Sequence, residues 1–178
     1  MKRLIALTLA LLVVSAGIAS AGSLGLGAFA GMSYPVLQHD TGNGMLYGLR
    51  APVKLVPFVT LEPYYATTNL GDKVENVAGL DLTQPGFDEK AWGVNLMLAA
   101  GGPLSFYPIG GVGQTSLSRT GVDQTFTTWN AGFGVGFAAV PKVTINLRGE
   151  LQAVQDGSET RKFGNATVGM SYAIFGLP

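Results

Sequence analysis

Between Phe126 and Gln152 the chain keeps a period of two through two consecutive runs, and few folds accommodate that pattern. In the first run Trp129, Ala131, Phe133, Val135 and Phe137 share one parity, while Thr128, Asn130, Gly132, Gly134 and Gly136 share the other. After Val140-Pro141-Lys142 the alternation resumes, with Val143, Ile145, Leu147 and Leu151 set against Thr144, Asn146, Arg148, Glu150 and Gln152. Successive side chains of a strand point to opposite faces. The two runs therefore form a hairpin with one uncharged, aromatic-edged face and one face carrying a cation, an anion and amides. In a soluble sheet the apolar face is the buried one. In a barrel immersed in lipid it points outward, and the polar face lines the lumen.

Composition narrows the choice. Charged residues make up 12% of the 178 residues, against about 25% in a typical soluble domain. Yet beyond the N-terminus no run approaches the ~18 apolar residues that a spanning helix requires. High apolarity without a helical span is what a membrane β-barrel needs. The chain has 26 glycines and no cysteine, so disulfides, thiol catalysis and thiolate metal sites are excluded. Residues 1–21 have the three regions of a secretory signal: Lys2 and Arg3, an apolar run from Leu4 to Val14, and the small residues Ala19-Ser20-Ala21. Cleavage after Ala21 predicts a mature domain of residues 22–178, exported by a bacterium with two membranes. Without Lys2 and Arg3, nine basic side chains face eleven acidic ones, a net of −2, and no nucleic-acid surface is expected.

Eight candidate strands can be placed in residues 22–178. They are expected near residues 24–33, 45–54, 58–67, 91–100, 104–115, the two limbs of the hairpin, and 163–175. Pro63 falls inside the third and predicts a local bulge there, because proline cannot donate to the ladder. The fifth strand, interrupted by Pro108, has no clear facing. The connections near Pro57, Gly102 and Pro141 are short, whereas those at 34–44, 68–90, 116–124 and 154–162 are polar and longer. Strict alternation of short and long connections predicts an all-β, eight-stranded, antiparallel up-and-down transmembrane barrel, with short periplasmic turns and longer outside loops. Closure is required because lipid cannot satisfy an open sheet edge.

On this reading Arg50, Glu62, Arg148 and Glu150 form a polar network in the lumen. A turn centred on Val56 places Arg50 directly opposite Glu62. An Arg facing lipid at mid-depth would instead cost ~2–4 kcal/mol. Trp92, Trp129, Phe133, Phe137, Leu147 and Tyr172 are expected to face lipid, with Tyr47 and Tyr65 joining an aromatic girdle. Glycines 132, 134 and 136 leave room for larger side chains from the opposite wall. An eight-stranded barrel is just wide enough for side chains to fill, so no wide pore is expected.

The segment Thr167-Val168-Gly169-Met170-Ser171-Tyr172-Ala173-Ile174 resembles the C-terminal assembly signal of bacterial outer-membrane barrels, with Thr167, Gly169, Tyr172 and Ile174 at its defining positions. The whole of residues 22–178 resembles, in architecture, the small eight-stranded barrels of the OmpA-type transmembrane domain and OmpX-like proteins. One departure is that Gly176-Leu177-Pro178 follow Phe175, where such proteins commonly end on phenylalanine. The resemblance implies a location in the bacterial outer membrane. It also implies contact with outer-membrane lipid and lipopolysaccharide, and passage through the barrel assembly machinery.

Function is less constrained. The leading expectation is a non-enzymatic barrel with a structural or surface-interaction role through its loops, no cofactor and no metal; oligomeric state is not specified. One alternative is a soluble periplasmic barrel, lipocalin-like, with Trp92, Phe133 and Leu147 facing an apolar ligand inside and the charges in water. Another is a lipid-modifying enzyme at the rim, in which His39 and Asp40 would serve Ser116 or Ser118. No spacing motif ties those residues together. The acidic second loop (Asp72, Glu75, Asp81, Asp88, Glu89) matches no calcium-binding pattern and is expected to be solvated.

Overall fold

A computed structural model of the chain describes residues 22–36, 42–77, 80–119, 122–156 and 159–176. The expected signal segment at 1–21, His39 with Asp40, and the terminal Leu177-Pro178 lie outside the described residues. Twelve strands occur: β1 (Ser23–Val36), β2 (Gly44–Arg50), β3 (Val53–Val56), β4 (Val59–Leu70), β5 (Lys73–Val77), β6 (Leu80–Gln84), β7 (Asp88–Leu98), β8 (Ala100–Gly101), β9 (Leu104–Arg119), β10 (Val122–Val140), β11 (Val143–Asp156) and β12 (Glu159–Gly176). β2 with β3, and β7 with β8, each make one wall of the barrel, and β5 with β6 form a separate hairpin. The remaining walls follow in chain order, all antiparallel, and β1 pairs with β12 to close the ring. The result is a closed eight-stranded barrel.

Each interruption lies beside a proline of the neighbouring strand, and the first also contains a proline of its own, Pro52. Pro63 pairs in register with Val94 and makes no bulge, contrary to the sequence-based expectation. The wall facing it is the one that breaks, at Ala51-Pro52 between β2 and β3. There Ala51 N–H still donates to the Pro63 carbonyl at 2.9 Å. Likewise the gap at Ala99, between β7 and β8, lies beside Pro108, which falls between the pairs Met97↔Ile109 and Ala100↔Phe106. A proline removes one ladder donor, and the partner strand loosens where that bond is missing.

The ladder also runs further than polarity suggested. β9 and β10 stay paired to Arg119↔Val122, and β11 and β12 to Asp156↔Glu159. The segments 116–124 and 154–162, expected as loops, are therefore mostly strand. The 68–90 segment holds the β5–β6 hairpin. At the opposite end Pro57-Phe58, Gly102-Pro103 and Pro141-Lys142 connect strands in two residues each. Lys142 has φ 70°, and a proline followed by a left-handed residue is the pattern of a type II turn.

The two faces of the wall differ in the opposite sense to a soluble barrel. Phe133, Leu147 and Trp92 are 75%, 60% and 55% exposed on the outside, while Glu62 and Arg148 are 1% and 7% exposed inside. The soluble alternative, with Trp92, Phe133 and Leu147 inward, is thereby overturned. Trp129, Phe137 and Tyr172 are also outward and exposed. Outward aromatics form two bands, with Tyr47, Tyr65, Trp92 and Trp129 toward the loops and Phe58, Phe106, Phe137 and Tyr172 toward the short turns. Leu61, Val94, Leu96, Val112, Leu147 and Val168 lie between them. In β1 the outward set is Leu26, Ala28, Ala30 and Met32, and in β9 the inward set includes Tyr107 and Ile109.

Candidate functional site: the layered lumen

Because inward residues alternate along every wall, the lumen is built in layers. The outermost layer is apolar. Leu70, Phe87, Val154 and Phe163 pack together inside the loop-end mouth, with Leu117 and Phe126 against them. Val154 and Phe163 have no solvent exposure at all. The Arg161 guanidinium lies 5.5 Å from the centre of the Phe87 ring. These residues continue the inward parity of Thr115, Thr128 and Gln152 into segments whose overall polarity marked them as loop.

Beneath this plug lies a layer of hydroxyls and amides around Glu89. Thr128 Oγ1 donates to Thr115 Oγ1 at 2.6 Å, and Asn165 Nδ2 to Gln152 Oε1 at 2.8 Å. Gln152 Nε2 donates to Glu89 Oε1 and sits 3.4 Å from Thr115 Oγ1. Glu89, expected among solvated loop acids, is instead 1% exposed inside the barrel. Its second oxygen, Oε2, has no hydrogen-bond partner. Asp72 and Asp88 do stay at the loop end, accepting from Gly86 N–H and Asn69 Nδ2, each at 2.7 Å.

The central layer holds the charges. Arg148 donates from Nη1 to Glu62 Oε1 at 2.5 Å and from Nη2 to Glu62 Oε2 at 2.7 Å. The fork geometry of guanidinium and carboxylate gives such a pair both strength and direction. Asn95 Nδ2 reaches Glu62 Oε1 at 3.4 Å, and Asn130 Nδ2 bridges Asn95 Oδ1 and Glu150 Oε2, both at 2.8 Å. Tyr107 accepts from Arg148 Nε at 3.3 Å and donates to Asn146 Oδ1 at 2.9 Å. Thus Glu62, Arg148 and Glu150 are joined in one network.

Arg50 shares the lumen but not those bonds. It lies opposite Tyr64 rather than Glu62, because the turn falls at Pro57-Phe58, beyond a register shift between Lys54 and Val56, and the register differs by two residues from that of a turn centred on Val56. Its guanidinium carbon is 5.2 Å from the Phe29 ring centre, and its Nε and Nη2 have no hydrogen-bond partner. A cavity of about 40 Å³ lies between this layer and the one above, bounded by Arg50, Glu62, Glu89 and Glu150. Glycines on adjacent or next-but-one walls, rather than on the opposite wall, admit the large groups. A Cβ at Gly169 would collide with Arg50 Nη2, one at Gly134 with the Tyr107 ring, and one at Gly111 with Asn95 and Asn130. Of the other assembly-signal positions, Thr167 is buried inward, while Tyr172 and Ile174 are exposed outward.

Below the charges the lumen opens toward the short turns as a vestibule of about 280 Å³. Its floor is Glu62, Tyr107, Asn146 and Arg148, and Ser23, Lys54, Thr60, Ser105, Thr144 and Ser171 stand around its mouth.

The described residues hold no group of three or more His, Asp or Glu placed to bind a metal ion. Ser116 Oγ lies 2.9 Å from Thr125 Oγ1, and Ser118 Oγ donates to Asp123 Oδ1. These serines pair across the β9–β10 ladder.

No protein-family model matches the sequence, and no curated protein does. Solved structures do match. Neisserial surface protein A aligns with 85% of this chain and 97% of its own, at 13% identity and TM-score 0.65. The N-terminal β-barrel domain of Pseudomonas aeruginosa OprF aligns over 85% and 98%, at 16% identity and TM-score 0.54. The P. aeruginosa outer membrane protein OprG aligns over 88% and 97%, at 13% identity and TM-score 0.52. The chain has the fold of the small eight-stranded outer-membrane barrels.

Proposed function

We propose that the chain is a non-enzymatic barrel of the bacterial outer membrane, acting through its loop end as a structural or surface-interaction protein. The observation that carries this reading is the inversion of polarity. Exposed Phe133, Leu147, Leu151 and Met170 surround a closed wall whose charged residues Glu62 and Arg148 are buried inside. In water such a surface would be an aggregation hazard; in lipid it is the stable arrangement. The outward contacts are then with outer-membrane lipid and lipopolysaccharide, and insertion calls on the barrel assembly machinery. A lumen filled by the apolar plug and the Glu62–Arg148 pair supports a barrier rather than an open pore. The surface role draws support from the separate β5–β6 hairpin between β4 and β7, from the polar loop-end extensions of β9–β12, and from the likeness to a neisserial surface protein.

Two measurements test the reading. The protein is expected in the detergent-extracted outer-membrane fraction, migrating differently on gels before and after heating. Recovery from the soluble periplasm without detergent would refute the membrane assignment. An epitope inserted at the tip of the β5–β6 hairpin should be labelled on intact cells. Labelling only after permeabilisation would reverse the orientation.

A further inference from the structure

The charges at the two ends of the barrel are not alike. Among the described residues, every Asp and Glu other than Glu62 and Glu150 lies toward the loop end. At the turn end the charged residues are Lys54 and Lys142. Lys54 pairs in register with Thr60 and Ser23, and all three line the vestibule. Its ammonium group forms no ion pair or hydrogen bond with a described residue. On the floor, Arg148 and Glu62 neutralise each other, so the vestibule carries the uncompensated positive charge of Lys54.

The walls are of mixed character. Met97, Ala99, Ala138 and Pro103 give an apolar side, and Ser105, Thr144 and Ser171 supply hydroxyls. The volume, about 280 Å³, is near the lower end of ligand pockets, which suits a small solute and not a two-chain lipid. Apolar walls with a few convergent polar groups and one charge are the usual make-up of a small-molecule site.

We propose that this vestibule binds a small organic monoanion, a monocarboxylate with a short apolar body. The carboxylate meets the Lys54 ammonium and the neighbouring hydroxyls, while the body lies against Met97, Ala99 and Ala138. The bonded floor and the apolar plug beyond it bar passage, so the anion enters and leaves by the same mouth. That the solute comes from the periplasm rests on the orientation proposed above; the binding itself does not.

Methionine 97 supplies a local reporter. The protein, labelled at its methionine methyl groups and embedded in phosphatidylcholine nanodiscs, is titrated with hexanoate and with neutral hexanamide. Met32, Met45 and Met170, exposed on the outer face, report partition into lipid instead. Hexanoate should move the Met97 methyl resonance saturably, and hexanamide should bind at least tenfold more weakly. Lys54→Gln should weaken hexanoate at least tenfold, and Ala138→Phe, which fills the vestibule, should abolish the response. Heat-modifiable gel migration verifies that each variant is folded, and the hexanamide comparison needs no variant. The proposal is overturned by any of four results: a silent Met97, equal binding of acid and amide, Lys54→Gln binding like wild type, or shifts confined to the outward methionines. None of these results bears on the outer-membrane assignment, which stands or falls on fractionation.

Discussion

Replacing Glu62 by glutamine leaves Arg148 without its carboxylate in a lumen where the two side chains are 1% and 4% exposed. The wild-type central layer is balanced, with Arg50 and Arg148 against Glu62 and Glu150. Breaking a buried pair by removing one partner costs ~3–5 kcal/mol, since the remaining charge keeps its desolvation and loses its compensation. Glu62→Gln leaves two guanidiniums and one carboxylate, and belongs at the upper end of that range. Arg148→Met leaves Glu62 with its Asn95 contact and with Arg50 in the same cavity, so it belongs at the lower end. The double variant restores a balance of one cation and one anion, and should fall within ~1 kcal/mol of wild type, as replaced buried pairs often do. Urea unfolding from phosphatidylcholine vesicles, followed by the fluorescence of Trp92 and Trp129, measures all four corners of this cycle. A double variant as destabilised as the sum of the singles would refute the coupling, and singles costing under ~1 kcal/mol would show that the pair is not buried from water.

Two further outcomes follow from the other layers. Phe163→Ala opens a void in the fully buried mouth plug, which should cost ~3–5 kcal/mol in the same urea assay and raise single-channel conductance in planar bilayers; unchanged conductance would place the barrier in the charged layer alone. Leu147→Arg puts a charge at mid-height on the outer face and should cost ~2–4 kcal/mol in vesicles, whereas a neutral effect would mean that this face meets water.

Much of the architecture could be read from parity and punctuation. The hairpin expected over Phe126–Gln152 forms with its expected faces, and the structure pairs Trp129 with Ala153 and Val135 with Leu147. Strand ends are less legible, because polar side chains occur in irregular chain and in solvated strand alike. In Ser116–Ser118 and Thr125–Asp123 the polar outward side chains merely mark a strand that has left the apolar belt; the ladder satisfies its backbone as well there as within it. The mouth plug was hidden for the same reason. Leu117, Phe126, Val154 and Phe163 each sit among polar neighbours, and only continued inward parity from Thr115, Thr128, Gln152 and Asn165 unites them. Pro63 and Pro108 keep their own register, and the breaks fall in the walls beside them, one of which holds Pro52 in the break itself.

The lumen shows where such reading must stop. Which residues face inward depends on parity within a strand, a local property. Which of them meet across the lumen depends on the stagger of eight walls and on every interruption in them, and Arg148 finds Glu62 from 86 residues away. The expected Arg50–Glu62 pairing failed because the turn is centred later than Val56, at Pro57-Phe58, so Arg50 meets Tyr64, in a register that runs unchanged across the break at Ala51-Pro52. That displacement is two residues, and two residues return a strand to the same face. Arg50 therefore stays inside while losing its expected partner. A displacement of one residue would have turned the guanidinium outward, against the apolar belt, at a cost of ~2–4 kcal/mol in lipid. The lipid face thus fixes parity but does not distinguish pairings inside the lumen that differ by two residues.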